Sequence, residues 1–454
     1  MRTRLFPFLF GIVCIGSVCT LGARHTVHVI KRVAHHFRTT ITLSSALVPT
    51  NAQAFVPLVL PPGEFAVASN PKVFLSPYTW YTDGENFAQT NNAGAYIKAQ
   101  FTGSSFEIGY DMSPYAGAQG GKWPSADLAP TVQITLDGQP LSKPIVLQMP
   151  TSSSKMQFKL ECLPQSTANR AHTIEIQVLN LAYYTNLDMW NKPASVVRVT
   201  RIYLTPGETL DQTKFPFIKP RRYLAYGDSI TKGISSAVHN NGMLPYSNDA
   251  TISYVVNVAD RINAEYGIVA YGGTGYTVWG EVGVPPIVRS DGPGYWDHYD
   301  QNHTRLVDGR FDPQPDLITV NLDTNDTLRG VADSKTEAAL FDGTGGLLPL
   351  LRSACVPPLQ GKKATAIAIL VPPGGMGRVA LHKSVNDYVF RTGDQRTFIV
   401  DLGVSAETGL RDGTDNTSPP NGTPTPESLD GLHPNRATQA HLGNAYGRAL
   451  LPLL

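Results

Sequence analysis

Apolar and polar residues alternate along much of the chain between residues 65 and 204. Val132, Ile134 and Leu136 form one such set, and they run directly into an Asp-Gly dipeptide of the kind that closes β-hairpins. A period of two places every second side chain on the same face of a strand, and no long helical pattern interrupts the region. The pattern predicts an antiparallel β-sandwich or jelly roll over residues 61–205.

A different pattern begins after residue 205. Short, nearly continuous apolar runs bounded by loops replace the alternation, at Tyr223–Tyr226, Ile268–Tyr271, Leu317–Leu322, Ala364–Val371 and Thr397–Leu402. Such runs are typical of parallel strands that are covered on both faces. Apolar residues also recur at helical spacing between the first two runs and again at the C-terminal end. The pattern predicts an α/β domain with a doubly wound parallel sheet over residues 221–454, after a linker at residues 206–220.

The N-terminal residues have the composition of a secretory signal. Two arginines precede the apolar stretch Leu5–Cys19, and small residues follow it. This predicts a cleaved signal peptide over residues 1–23, and therefore a secreted, extracellular protein with no membrane contact after cleavage. The alternative, an uncleaved membrane anchor, requires about 20 apolar residues. Residues 24–60 are expected to be a pro-region or a linker.

Composition narrows the range of partners. The 454 residues carry a net charge of +1, so nothing favours nucleic acid or another polyanion.

Outside the signal, Cys162 and Cys355 could form one disulfide or stay as two free buried thiols. Asn-X-Ser/Thr sequences at Asn302, Asn416 and Asn421 predict a glycoprotein. No Cys/His spacing is typical of a zinc site, so no metal is expected.

Four short motifs in the predicted α/β domain carry residues suited to catalysis. Ser229 lies in Gly-Asp-Ser-Ile-Thr, Gly273 in a glycine-rich turn, Asn325 in Asp-Thr-Asn-Asp, and Asp430 and His433 in Asp-Gly-Leu-His-Pro. In open α/β sheets ligands bind at the carboxyl ends of the strands, where the first three motifs fall. Taken alone, each of these three motifs also has a structural explanation, such as a helix cap or a turn.

The four motifs together, in this order, resemble the sequence blocks of SGNH (GDSL-type) hydrolases. With the preceding β domain, the chain resembles the two-domain esterases of carbohydrate esterase family two. The resemblance implies a flavodoxin-like sheet, Ser229 as nucleophile, His433 as its base and Asp430 as the residue that orients the imidazole. It also implies an oxyanion hole formed by the backbone N–H groups of Ser229 and Gly273 and the side-chain amide of Asn325, with no cofactor.

The resemblance further implies a substrate, the O-acetyl esters of a plant cell-wall polysaccharide such as xylan or mannan. Separately from the resemblance, the protein is expected to be a monomer. Tyr295 and Trp296 are candidates for stacking on sugar rings, and core packing is the alternative for Trp296. Asp323 stands where the family usually has glycine, and its carboxylate could oppose the charge of the oxyanion or point outward. Two other functions stay open, a sugar O-acetyltransferase and a carbohydrate-binding protein with a weakened catalytic site.

Overall fold

The structure is a computed structural model that describes most of the chain from residue 55 onward. The described residues are 55–57, 63–84, 86–118, 129–148, 157–181, 187–214, 216–237, 248–357, 363–403, 428 and 431–454. The predicted signal peptide, Asp430 and the sequences at Asn416 and Asn421 lie outside them. Residues 51–454 form one compact unit. None of the helices in the described ranges combines the length and the apolar character that a membrane span requires.

Two antiparallel sheets of seven strands each occupy the described residues from 55 to 211. The first contains β1 (Phe55–Pro57), β2 (Glu64–Ala66), β4 (Tyr81–Thr82), β5 (Ala88–Thr90), β7 (Phe106–Asp111), β11 (Gln157–Leu163) and β13 (Val197–Tyr203). The second contains β3 (Val73–Leu75), β6 (Tyr96–Gly103), β8 (Thr131–Leu136), β9 (Gln139–Pro140), β10 (Ile145–Val146), β12 (Arg170–Asn180) and β14 (Thr209–Asp211). A short helix, α1 (Ser113–Ala118), follows β7.

The two antiparallel sheets share one apolar core. Phe101 of β6 and Phe106 of β7 belong to different sheets, and their ring centroids lie 4.9 Å apart. On β8 the predicted alternation is confirmed, because Val132, Ile134 and Leu136 are buried and the residues that alternate with them are half-buried. The structure therefore has the paired antiparallel sheets that the alternation predicts, while the jelly-roll order of connections stays a prediction.

The C-terminal half is built on a five-stranded parallel sheet with the strand order β16-β15-β19-β20-β21. Its strands are β15 (Arg221–Gly227), β16 (Ala264–Ala270), β19 (Leu317–Asn321), β20 (Ala366–Leu370) and β21 (Thr397–Val400). In sequence order this is 2-1-3-4-5, the flavodoxin-like arrangement that the resemblance implies. A small hairpin of β17 (His298–Asp300) and β18 (His303–Thr304) lies outside this sheet.

Helices cover both faces of the parallel sheet, which explains its almost continuously apolar strands. The helices are α2 (Ser229–Lys232), α3 (Tyr254–Arg261), α4 (Thr324–Leu328), α5 (Asp333–Leu340), α6 (Leu347–Ala354), α7 (Arg378–Thr392) and α8 (Arg436–Leu450). Consecutive residues of β15 belong to different apolar clusters. Ala225 shares a cluster with Tyr254 of α3 and Tyr446 of α8, whereas Leu224 shares one with Leu381 of α7. The predicted doubly wound α/β arrangement is therefore confirmed.

Two elements differ from the prediction. β14 lies inside the predicted linker and pairs with β6, so the β half extends to Asp211. β16 begins at Ala264, before the predicted apolar run, because Glu265 is buried although its type is polar. The Glu265 carboxylate accepts hydrogen bonds from Lys98 Nζ (2.9 Å) and from the Tyr96 hydroxyl (2.5 Å), both on β6. This buried cluster joins the β half to the α/β half.

The two cysteines of the described residues are free and buried. Cys162 lies on β11 in the core of the β half, and Cys355 follows α6 in the α/β half. The structure thus has the second of the two alternatives, separate thiols rather than a disulfide. Burial raises the pKa of both thiols, which keeps them protonated and unreactive.

Candidate active site

The first motif forms a sharp turn from β15 into α2. Asp228 is the N-cap of α2, and its Oδ1 accepts a hydrogen bond from the backbone N–H of Ile230 (2.9 Å). A β-carbon on Gly227 would lie 2.0 Å from Oγ1 of Thr231, so glycine is required at the end of the strand. Ser229 is the first residue of α2 and is 6% exposed. Because Asp228 caps the helix, the Ser229 hydroxyl is not needed for that purpose.

The glycine-rich motif forms a turn after β16 whose orientation is fixed by Glu281. The backbone N–H of Glu281 donates to the carbonyl of Gly272 (2.8 Å), and Oε1 of Glu281 accepts from the N–H of Gly272 (3.0 Å). In a trans peptide, the carbonyl of one residue and the N–H of the next point in opposite directions. The N–H of Gly273, the predicted oxyanion donor, is therefore directed away from Glu281. Gly273 itself has a φ of +71°, which favours glycine.

A buried ion pair connects this turn to the helix of Ser229. Lys232, the last residue of α2, contacts Oε1 of Glu281, the same oxygen that accepts from Gly272. The Lys232 and Glu281 side chains are only 8% and 13% exposed. The sequence pattern does not predict this pair, because charged side chains are usually solvated. Both residues lie close in sequence to the predicted catalytic motifs, but that position does not indicate that they pair.

Asn325 joins the first three motifs. It lies at the start of α4, and its Nδ2 donates to the carbonyl of Thr274 (2.9 Å) and to Oδ2 of Asp228 (3.2 Å). One side chain thus contacts the glycine-rich turn and the residue that precedes Ser229. Three segments that are distant in sequence therefore meet at the carboxyl end of the parallel sheet, beside the predicted nucleophile.

The fourth motif lies close to the first. Burial raises the pKa of Asp228 to about 7, while the N–H of Ile230 and the charge of His433 act in the opposite direction. Helix α8 begins three residues after His433 and is held against α2 by Gln439, whose Nε2 donates to the carbonyl of Ile230 (3.0 Å). Asp430, the predicted orienting residue, lies outside the described residues.

Asp323 contacts residues outside the predicted oxyanion hole. Its φ of +99° lies in the region that favours glycine, which accounts for the glycine usual at this position. Its carboxylate accepts hydrogen bonds from the hydroxyls of Thr336 (2.9 Å) and Thr327 (3.3 Å), and a β-carbon on Gly377 would lie 1.4 Å from it. Burial raises the pKa of Asp323 to about 6. Of the two alternatives, these contacts fit the one in which the side chain points away from the hole.

The two aromatic residues predicted to contact sugar belong to the core. Tyr295 is fully buried and Trp296 is 7% exposed. The ring of Tyr295 packs edge-on against Tyr271 with a centroid distance of 5.3 Å, and the carbonyl of Trp296 accepts a hydrogen bond from the Tyr226 hydroxyl. The prediction of substrate contact is corrected accordingly, because packing beside the sheet leaves neither ring a face open to solvent. Trp279, by contrast, is 48% exposed.

The buried Asp228 carboxyl predicts a pH-dependent stability. Its pKa rises from 3.8 to about 7 on folding, so the folded protein keeps a proton that the unfolded chain releases above about pH 4. The contribution of this proton to the free energy of unfolding is complete below about pH 4 and is lost as the pH rises through 7. Relative to Asp228→Asn, we expect the free energy of unfolding of the wild type to fall by at most about 4 kcal/mol between pH 4 and pH 8. Urea unfolding of both proteins measures this, and parallel pH profiles would contradict it.

Comparison with known proteins finds this fold among solved esterases. No protein-family model and no curated protein matches the chain. A family two carbohydrate esterase from Clostridium thermocellum, solved with cellohexaose, shares 17% sequence identity at a TM-score of 0.58, over 84% of this chain and 100% of that one. An acetyl xylan esterase from the rumen bacterium Butyrivibrio proteoclasticus shares 16% identity at a TM-score of 0.59, over 85% and 97%.

A third solved structure has a different printed activity. A salicylyl-acyltransferase from a tetracycline biosynthetic pathway shares 13% identity at a TM-score of 0.50, over 86% of this chain and 99% of that one. At these identities the comparison shows the fold. As far as the fold is concerned, the comparison confirms the resemblance that the motifs indicate.

Proposed function

We propose that this protein is a serine esterase that removes O-acetyl groups from plant cell-wall polysaccharide, xylan or mannan, through an acyl-enzyme on Ser229. The observation that carries the proposal is the double contact of Asn325, which brings the segments of Ser229 and Gly273 together with its own. The fold, shared with an acetyl xylan esterase, supports the choice of an acetyl ester as substrate.

The proposed reaction proceeds through two acyl transfers. His433 takes the proton of the Ser229 hydroxyl as Oγ attacks the acetyl carbonyl carbon, and the carbonyl electron pair moves onto its oxygen. His433 then gives the proton to the sugar oxygen as the C–O bond breaks, which leaves the acetyl group on Ser229. Water then attacks the acetyl carbon while His433 takes its proton, and His433 returns that proton to Oγ of Ser229 as the bond between Oγ and the acetyl carbon breaks, which releases acetate. Asp430 would hold the imidazole in the required tautomer and stabilise its charged form.

Hydrogen-bond donors must face the oxyanion before it forms. The proposed donors are the backbone N–H groups of Ser229 and Gly273 and the amide of Asn325. The contacts with Glu281 support the role of Gly273, since they fix the peptide that carries its N–H. The longer of the two Asn325 hydrogen bonds, 3.2 Å to Asp228, is the one that the oxyanion would replace.

Asn325→Ala should lower kcat by about 10²–10³, because one preorganised donor to the oxyanion is lost. KM should change little, since the donor acts mainly in the transition state. Asn325→Asp should lose at least as much activity, because its carboxylate cannot donate and repels the developing charge. Steady-state kinetics with thermal melts of each variant measure this. A fall in kcat of under tenfold in a well-folded Asn325→Ala variant would remove this residue from the hole.

Acetate release from acetylated xylan and acetylated glucomannan tests the proposed substrate. We expect both polysaccharides to lose acetate in the presence of the protein, with a preference for one of them. Long-chain fatty esters serve as the comparison, because a site built for a small acyl group should turn them over slowly. Activity confined to the long-chain esters would refute the polysaccharide substrate.

A sugar O-acetyltransferase is the second candidate, favoured by the fold shared with a salicylyl-acyltransferase. In that reaction a sugar hydroxyl, rather than water, takes the acetyl group from Ser229. Product analysis with and without a free sugar acceptor separates the two reactions. Acetate as the main product in the presence of the acceptor supports the hydrolase, and an acetylated acceptor supports the transferase.

We also propose that the protein is exported, as the arginines and the apolar stretch Leu5–Cys19 suggest. Export fits a polymeric substrate, which cannot enter a cell intact. N-terminal sequencing of the mature protein from its natural source tests this. A mature protein that begins after residue 23 supports export, and one that retains the apolar stretch contradicts cleavage.

A further inference from the structure

A groove lies between the first antiparallel sheet and the hairpin of β17 and β18. Its volume is about 560 Å³, within the range of about 300–1,000 Å³ that is typical of ligand sites. Its lining includes Arg198 on β13, Lys192 on the loop before β13 and His303 on β18. None of the described residues that line it belongs to the four catalytic motifs. The groove is therefore a site separate from that of Ser229.

The guanidinium of Arg198 is fixed in place and retains free donors. Its Nε and Nη2 donate to Oε1 of Gln89 (2.9 and 2.7 Å), and its Nη1 donates to Oδ2 of Asp111 (3.4 Å). The guanidinium carbon lies 4.0 Å from the centroid of the Phe87 ring. A guanidinium has five N–H donors, so one on Nη1 and one on Nη2 have no acceptor among the described residues. Two such N–H groups can bind both oxygens of a carboxylate.

Lys192 adds a second positive charge to the groove. Its side chain is exposed and pairs with no carboxylate in the described ranges. Among the described residues that line the groove, Asp300 is the one acidic residue. Its carboxylate is buried and accepts a hydrogen bond from Nδ1 of His303 (2.7 Å). The groove therefore has a surplus of positive charge, which favours an anionic group on the ligand.

His303 supplies an acceptor for a hydroxyl group. Because the carboxylate of Asp300 only accepts, Nδ1 of His303 carries the proton, and Nε2 of the neutral ring presents a lone pair. This Nε2 has no partner in the part of the chain that the structure describes. The ring stacks on Tyr81 with a centroid distance of 3.8 Å, which fixes its orientation. An anion that also carries hydroxyl groups matches this lining, and an acidic sugar is such a ligand.

The loop that carries Lys192 also touches the turn beside the predicted oxyanion hole. A β-carbon on Gly283 would lie 3.6 Å from Nδ2 of Asn191, which lines the groove. Gly283 is two residues from Glu281, whose side chain and backbone hold the peptide that carries the N–H of Gly273. This short series of contacts brings the groove and the catalytic site within the reach of one polysaccharide chain.

We propose that the groove binds a uronate residue, an acidic sugar carried by the same polysaccharide that is deacetylated at Ser229. Arg198 and Lys192 bind its carboxylate, and Nε2 of His303 accepts a hydrogen bond from one of its hydroxyls. The inference takes the class of polymer from the proposed function and rests on it to that extent. The site itself takes no part in the chemistry. It selects a polymer with acidic branches, such as glucuronoxylan, over an unbranched neutral chain.

Calorimetric titration with two unacetylated oligosaccharides tests this proposal. A xylo-oligosaccharide with one glucuronic acid branch should bind at least about tenfold more tightly than unbranched xylohexaose, because its carboxylate adds charge-assisted hydrogen bonds. Asn302 lies in a predicted glycosylation sequence and also lines the groove. The protein is therefore produced in a bacterial host, so that no glycan competes for the groove.

Three variants locate the binding. Lys192→Glu should weaken binding of the acidic oligosaccharide by about fivefold or more and leave xylohexaose unchanged. Arg198→Gln should weaken it by about tenfold, and a thermal melt of this variant checks the fold, since Arg198 also contacts Asp111. Lys143→Glu is the matched control and should change neither affinity, because Lys143 is exposed between β9 and β10 and does not line the groove.

Equal affinity of the wild type for the two oligosaccharides overturns the inference, as does unchanged affinity in Lys192→Glu and in a folded Arg198→Gln variant. Equally tight binding of polyglutamate also overturns it, because the groove would then bind charge and not sugar. If acetate is released from acetylated xylan but the acidic branch adds nothing to binding, the esterase stands and the groove inference fails. If no ester is hydrolysed but binding depends on Lys192, the proposed function fails and the acidic-sugar groove stands.

Discussion

Ser229→Ala should abolish ester hydrolysis, with a fall in kcat of about 10⁶-fold. In the proposed mechanism the hydroxyl oxygen becomes bonded to the acetyl carbon, so no neighbouring group can replace it. The fold should be unaffected, because Asp228 rather than Ser229 caps α2. Acetate release and the thermal melt of the variant, measured on the same preparation, test both parts of this expectation.

A buried serine outside the site provides the control for this variant. Ser384 on α7 is 2% exposed, and its hydroxyl donates to the carbonyl of Ala380 (2.9 Å). Ser384→Ala should retain nearly full activity, with at most a modest loss of stability from the missing hydrogen bond. If Ser229→Ala kept more than about one hundredth of the wild-type kcat, the covalent mechanism would be wrong.

Glu281→Ala should lower both the stability and the activity. The variant leaves Lys232, 8% exposed, without its buried partner, and loss of one member of a buried ion pair costs about 3–5 kcal/mol. It also removes the acceptor of the Gly272 N–H, so the turn that carries Gly273 is less well fixed. Loss of an aligned oxyanion donor would lower kcat by about 10²-fold. Urea unfolding and steady-state kinetics measure the two effects separately.

Two further variants separate these contributions. Glu281→Gln keeps an oxygen that can accept from Gly272 but loses the charge, so we expect a loss of stability with a smaller loss of kcat. Glu337→Ala removes the partner of Lys383 in an ion pair on the surface, where Lys383 is 55% exposed, and it should change stability little. A Glu281→Ala variant that behaves like Glu337→Ala would show that the buried pair positions nothing.

The fold could be predicted from the sequence where one rule governs a whole segment. The alternation on β8 reflects burial on one face, and the apolar runs of the parallel strands reflect burial on both faces. The pattern therefore predicts the type of strand. The predicted strand bounds are wrong where contacts with residues distant in sequence determine which residues are buried. Glu265 interrupts an apolar pattern yet lies inside β16, since Lys98 and Tyr96 of the β half supply its partners. No pattern within β16 contains that information.

Some features of the candidate site could likewise be predicted from the sequence, and others could not. That Ser229, Gly273 and Asn325 lie close together could be predicted, because each follows a strand and the carboxyl ends of parallel strands meet at one edge. The pairing of Lys232 with Glu281 could not be found, because it depends on how one loop folds back onto α2. Whether Trp296 contacts sugar or packs in the core could not be found for a similar reason, since the sequence gives the residue type and not the side that is covered.

Labelling with a fluorophosphonate probe tests the central claim most directly, because the probe reacts covalently with an activated serine. Peptide mass spectrometry of the labelled wild type should find one adduct, on Ser229, and the label should be lost in Ser229→Ala and in His433→Ala. An adduct on another residue, or acetate release that persists in a Ser229→Ala protein free of label, would contradict the assignment of Ser229 as the nucleophile.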